Sequence, residues 1–146
     1  MRKYWLGRDN MPLRGISTAA IFEVTAGDKV AGHADVARNT SSATYVKLKE
    51  IELTHTTGTL RIFFRARSSG AGSAGPAAAI YRNGIIVGTE RVPNSVTFQE
   101  YTEDIGGWGV GDKCQIYGKT SNNPCEVDLF RISTAEGKGS FNNLVD

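Results

Sequence analysis

The chain has 146 residues, with 17 Lys plus Arg against 15 Asp plus Glu and a net charge of +2. That length fits one domain with an ordinary core, and so slight a basic excess disfavours a protein that lives on phosphate contacts, so no nucleic-acid partner is expected. With 10 Val, 10 Ile, 13 Thr and 17 Gly against 7 Leu, the composition favours strands and turns, because β-branched side chains pack on a pleated surface and lose rotamer freedom in helices.

Residues 1–15 read as an extended, basic N-terminal arm with neither helical nor alternating periodicity. Its only consecutive apolar residues are Tyr4, Trp5 and Leu6, whereas a secretory signal needs roughly 7 or more, so no signal peptide is expected. No stretch approaches the roughly 20 apolar residues of a membrane span, and no membrane partner is expected. The strand pattern starts after Gly15, with Ile16 to Val24 ending at the turn signal Ala26-Gly27-Asp28. A weaker strand covers Lys29 to Val36, and Arg38 to Ser42 reads as a polar loop.

Tyr45 to Leu53 carries more information. Val46 and Leu48 share one face, while Ile51 and Leu53 fall on the opposite parity. A strand changes face only through an extra residue, which predicts a β-bulge near Glu50. Thr59 to Arg67 alternates cleanly, with Leu60, Ile62, Phe64 and Ala66 inward and Arg61, Phe63, Arg65 and Arg67 outward. That face is wet and cationic.

Residues 68–75 form a Gly- and Ser-rich loop. Pro76 to Arg82 and Ile85 to Arg91 flank Asn83-Gly84, the strongest short hairpin signal, since a type I′ turn needs positive φ at both central residues. Val96 to Ile105 is the next strand, residues 106–112 a Gly-rich connection around Trp108, and Lys113 to Lys119 another strand. A loop over 120–124 closes a last hairpin with Cys125 to Ser133, and a polar tail follows. Eight or nine strands with no helix between them indicate one antiparallel β-sandwich, jelly-roll-like, over 16–134, followed by a C-terminal tail over 135–146.

Little chemistry is present. His33, His55, Cys114 and Cys125 are too scattered to close a zinc site, no Ser sits in a nucleophile elbow, and the Gly-rich loop leads into a strand, not a phosphate-cradling helix. Glu50, Glu52, Glu90, Glu100, Glu103, Asp104 and Asp128, interleaved with Lys47, Lys49, Arg61, Arg65 and Arg91, read as cross-strand ion pairs on the wet face. No catalytic residue, metal or cofactor is expected, and so no enzyme. Cys114 shares parity with Ile116 and reads as core; Cys125 lies about four positions out of register in the assumed hairpin, which argues against a disulfide unless a bulge corrects the register.

Aromatics remain. Tyr101, Trp108 and Tyr117 are candidates for a platform that stacks a sugar ring, although Trp108 among its glycines reads more readily as a loop anchor. The arm residues Tyr4, Trp5, Leu6, Arg8 and Arg14 are an apolar and basic display that should dock on a partner surface.

The run Tyr45 to Ile51, followed by Gly58-Thr59-Leu60-Arg61-Ile62, Ile80 to Gly84, Val87 to Arg91, Tyr101 to Ile105, Gly111 to Tyr117 and Leu129 to Ile132, resembles a pattern in small jelly-roll virion proteins of tailed phages. The likeness covers roughly residues 44 to 133. It implies a capsid decoration subunit on the virion exterior, made in the host cytoplasm, self-associating as a trimer and binding the major capsid protein through the arm. A carbohydrate- or receptor-binding module of a tail or fibre, using Tyr101 and Trp108, is the alternative.

Overall fold

The computed structural model describes residues 20–70 and 75–146. The arm and its residues Tyr4, Trp5, Leu6, Arg8 and Arg14 lie outside the described residues, as does half of the expected Gly-rich loop, 71–74. The described residues form eleven strands, two or three more than the turn signals mark. In chain order they are β1 (Phe22–Val24), β2 (Ala26–Ala34), β3 (Arg38–Thr40), β4 (Val46–Leu53), β5 (Thr56–Ser68), β6 (Ala77–Arg82), β7 (Ile85–Ile86), β8 (Gln99–Trp108), β9 (Lys113–Lys119), β10 (Cys125–Thr134) and β11 (Phe141–Val145).

Two sheets result. In the first, β5 and β10 lie side by side at the centre; β8 and β1 share the free edge of β5, and β2 and β3 share the free edge of β10. The second runs β11-β4-β9-β6-β7. All pairings are antiparallel except β1 with β5. The protein is therefore an antiparallel, jelly-roll-like β-sandwich, as the alternation predicts.

The inward residues of β5, namely Leu60, Ile62, Phe64 and Ala66, are buried and meet Leu48, Ile51, Ile80, Cys114 and Ile116 of the other sheet in one core. Face changes within strands are made by extra residues. In β4, Lys47 pairs with Tyr117 and Lys49 with Ile116, so the bulge falls at Leu48, two residues before the expected Glu50. The shift turns Lys49 into the interior, where it is fully buried; it does not stand on the wet face. In β10, Cys125 and Val127 are buried, then Phe130 and Ile132. Leu129 makes that change at φ 47°, the left-handed region that costs an L-residue about 1–2 kcal/mol.

Several expectations are corrected by long-range contacts. Ala26-Gly27-Asp28 is not a turn but part of β2: Gly27 serves a close approach, since a Cβ there would come within 2.3 Å of the Ala135 backbone. Residues 38–40 are not loop but β3, held by Cys125, Glu126 and Val127. The strand expected from Ile16 is described only over Phe22–Val24. The Asn83-Gly84 hairpin forms, with φ 51° and 83°, but its second arm is a strand only at Ile85 and Ile86 and rejoins β6 through a single bridge from Arg91 to Ala78. The strand after it starts at Gln99 and runs on through Gly106-Gly107 to Trp108, which faces Gly58 of β5. The assumed last hairpin does not exist, because β9 pairs with β4 and β6 while β10 pairs in the other sheet. Both cysteines are buried and free. Finally, the tail carries β11, whose Phe141 packs on the core while Asn142 pairs with Glu52.

Candidate binding groove on the outer face of the six-stranded sheet

Strand parity puts polar residues on the outer face of the first sheet, and register decides which of them become neighbours. Two rows cross four strands. One reads Val30, Ser133, Arg61, Asp104; the other reads His33, Arg131, Phe63, Thr102. Between them lies a groove of about 270 Å³ bordered by Asp28, Val30, Arg61, Phe63, Thr102 and Arg131. Its wall comes from β2, whose pairing with β10 slips twice between Ala34 and Ala26. A bulged strand bends, and here the bend places Asp28 where it reaches across β10 to Arg61.

The groove's charges are tied down. Arg61 donates from Nε and Nη2 to the two oxygens of Asp104 at 2.8 and 2.9 Å, and from Nη1 to Asp28 at 2.6 Å. Arg131 donates to both oxygens of Asp35 at 3.1 and 3.2 Å. These hydrogen bonds push the pKa of both guanidiniums further up and hold the Asp104 carboxyl below its usual range. Bidentate guanidinium–carboxylate pairs fix both planes. Phe63, half-buried, sits opposite Arg131 across the strands and two residues along β5 from Arg61. Beyond it the face continues as Arg65 paired to Asp128 and Arg67 to Glu126, with the Phe98 ring against both guanidiniums.

Of the residues expected to form cross-strand ion pairs on the wet face, Arg61 pairs with Asp104 and Arg65 with Asp128 across strands, whereas Lys47 pairs within β4 with Glu50, which is buried. Arg91 and Glu103 also pair, at 2.7 Å, but on the inner side of β8, because Glu103 faces Ile62. The expected aromatic platform is not assembled. Tyr101 packs inward on Phe64 with ring centroids 5.5 Å apart. Trp108 is 3% exposed, with the Arg82 guanidinium 4.1 Å from its ring centroid. Tyr117 belongs to the other sheet, where it stacks on Tyr81 at 4.0 Å. Tyr45 leans on the same Tyr81, and its hydroxyl donates to Glu90; burial is the main cause of its raised pKa. Tyr81 and Tyr117 cover one face of each other at an interplanar angle of 15°, and the Lys119 ammonium stands 4.6 Å from the Tyr45 ring centroid. His33 is exposed beside Asp35 at 3.5 Å, His55 lies in the bend before β5, and no cluster of metal-binding side chains occurs among the described residues.

Alternation alone puts Arg61 and Phe63 on the outer face but carries no sign of the groove. Asp28, Asp35 and Arg131 carry no local signal, since only the β2–β10–β5 register makes them neighbours.

No family model matches the chain, and neither does any curated protein. Among solved structures, the chain is similar to a family 35 carbohydrate binding module from an environmental isolate, with 13% identity, a TM-score of 0.54, and coverage of 88% of this chain and 91% of that one. At such identity the likeness concerns the fold, and it agrees with the β-sandwich described above.

Proposed function

We propose that the chain is a non-catalytic carbohydrate-binding module that takes a glycan in the groove around Phe63. The observation that carries this reading is the aromatic ring set beside two guanidiniums whose orientation is already fixed by carboxylates. Small-ligand sites combine an apolar surface with a few well-placed polar groups. A pyranose needs both: its C–H face packs on a ring, and its hydroxyls exchange hydrogen bonds with planar donors and acceptors. Because Arg61 and Arg131 are held before any ligand arrives, little side-chain entropy is lost on binding. The name of the structural neighbour, a carbohydrate binding module, agrees with this reading.

The test is a glycan array followed by calorimetry on the best hit, comparing the native chain with Phe63→Ala. Binding should weaken by about tenfold or more, the loss of a stacked aromatic contact, while the melting temperature stays close to that of the native chain. A uniformly negative array, or unaltered affinity in a folded Phe63→Ala variant, overturns the proposal.

One observation favours the capsid decoration reading instead. The edge strand β7 exposes Ile85 and Ile86, at 69% and 46%, and an uncovered apolar edge suits a protein partner. In that reading the chain trimerises and the arm binds the major capsid protein. Light scattering of the isolated chain, and capsid binding with and without residues 2–14, test it; a monomer with no affinity for the shell sinks it, whereas affinity that survives the deletion removes only the arm from the mechanism.

A further inference from the structure

We infer that the groove selects its sugar by charge, taking glycans that carry a protonated amine and rejecting uronates and other acidic sugars. This rests on the glycan-binding reading above and adds the class of ligand. The whole chain is net basic, with 17 cationic against 15 anionic residues, yet the groove is not. Its two guanidiniums, Arg61 and Arg131, pair with three carboxylates: Asp28, which borders the groove, and Asp104 and Asp35 next to it. The same sign extends along the face, where Glu100 stands exposed opposite Arg65, whose own bidentate partner is Asp128.

The geometry matters as much as the count. Arg61 gives one hydrogen from each of Nε, Nη1 and Nη2 to Asp104 and Asp28, so its charge is already paired before a sugar carboxylate arrives, and that carboxylate meets the like charge of Asp28 at the groove. Arg131 gives its Nε and Nη2 to Asp35. Asp28, by contrast, is 89% exposed and gives one oxygen to Arg61. Its other oxygen is free to accept from an ammonium. It stands at the rim beside the apolar surface of Val30 and Phe63. A 2-amino-2-deoxy sugar fits this arrangement, with its ring on Phe63 and its ammonium on Asp28.

The experiment compares four oligosaccharides of equal length by calorimetry, at one pH at which the amine is protonated: a glucosamine oligomer, its N-acetylated form, a neutral glucose oligomer and a uronate oligomer. The glucosamine oligomer should bind about fivefold tighter than the acetylated and neutral ones, the contribution of one solvent-exposed ion pair, and the uronate should not bind measurably. Asp28→Asn should remove the preference, so that the amine and neutral oligomers bind alike. Equal binding of amine and neutral oligomers, or binding of the uronate, overturns charge selection while leaving the groove a glycan site. Failure of all four to bind, with a negative array, overturns both.

Discussion

The guanidinium of Arg82 lies over the Trp108 ring, 4.1 Å from its centroid, while its Nη2 donates to the Gly106 carbonyl at 2.6 Å. Trp108 is thereby sandwiched between the core and a cation. The glycines before it extend β8 far enough to bring it there: Gly107 sits at φ 77°. The indole works as a plug, not as a platform.

Truncating that plug should therefore act on stability and not on ligand binding. Trp108→Ala removes a buried ring and leaves a cavity, which typically costs about 3–5 kcal/mol. Chemical denaturation measures the loss. In the fraction that stays folded, affinity for any groove ligand should equal that of the native chain, because the groove lies on the other face of the sheet. A selective loss of glycan binding at unchanged stability would reverse the assignment.

Asn83 has two tasks. It takes the left-handed conformation of the hairpin turn at φ 51°, and its side chain bridges to the start of β9, donating to Asp112 at 2.9 Å and accepting from the Lys113 amide at 2.8 Å. Asn83→Ala loses both hydrogen bonds and the tolerance for positive φ, and should destabilise by about 2–3 kcal/mol. Asn83→Gly restores the backbone freedom alone, so it should recover part of the loss. If the two variants melt together, the side-chain bridge carries all of the effect.

What the sequence shows and what it hides follow from the range of the interaction. The β5 alternation, the Asn83-Gly84 turn and the bounds of β9 are legible because period and turn chemistry act within a few residues. β3 is not: Arg38-Asn39-Thr40 is polar and becomes a strand only because β10 offers it an edge. β11 is hidden for the same reason, and so is the separation of β9 from β10 into different sheets. The groove shares this fate. Parity assigns Arg61 to the wet face, but only register places Asp28 and Arg131 around it.

Lys49 is a charge that the bulge at Leu48 forces inside. Its Nζ donates to the Val36 carbonyl and lies 3.6 Å from Asp146, which is 45% exposed. Burial pulls the Lys49 pKa down, while the Val36 amide, and Lys49 itself, hold Asp146 low. The two groups act at opposite ends of the pH scale. A lysine with a lowered folded pKa is penalised while charged, so its contribution to stability improves as pH rises from that pKa toward the unfolded value. The depressed Asp146 contributes above its unfolded pKa and loses that contribution as pH falls through the folded one. Lys49→Met should be neutral or stabilising by up to about 2 kcal/mol, and should flatten the alkaline rise. Asp146→Asn should cost about 1 kcal/mol at neutral pH, discounted for the exposure of the carboxylate. Denaturation at several pH values checks both signs.

The cysteines provide a chemical clock for opening. Cys114 and Cys125 are fully buried, and burial raises both thiol pKa values, that of Cys125 to about 12 despite its contact with the Ala77 carbonyl at 3.5 Å. Only the thiolate attacks a disulfide reagent, so neither should react in the folded chain at mildly alkaline pH. The two sit on different sheets, Cys114 on β9 and Cys125 on β10, with one core between them. Exposing both requires the sandwich to part. Each thiol should thus be labelled at the same rate, and that rate should follow global unfolding as denaturant is added. Earlier labelling of Cys125 alone would show that the β3–β10 edge opens by itself, and that the short strand Arg38–Thr40 is the first element to leave.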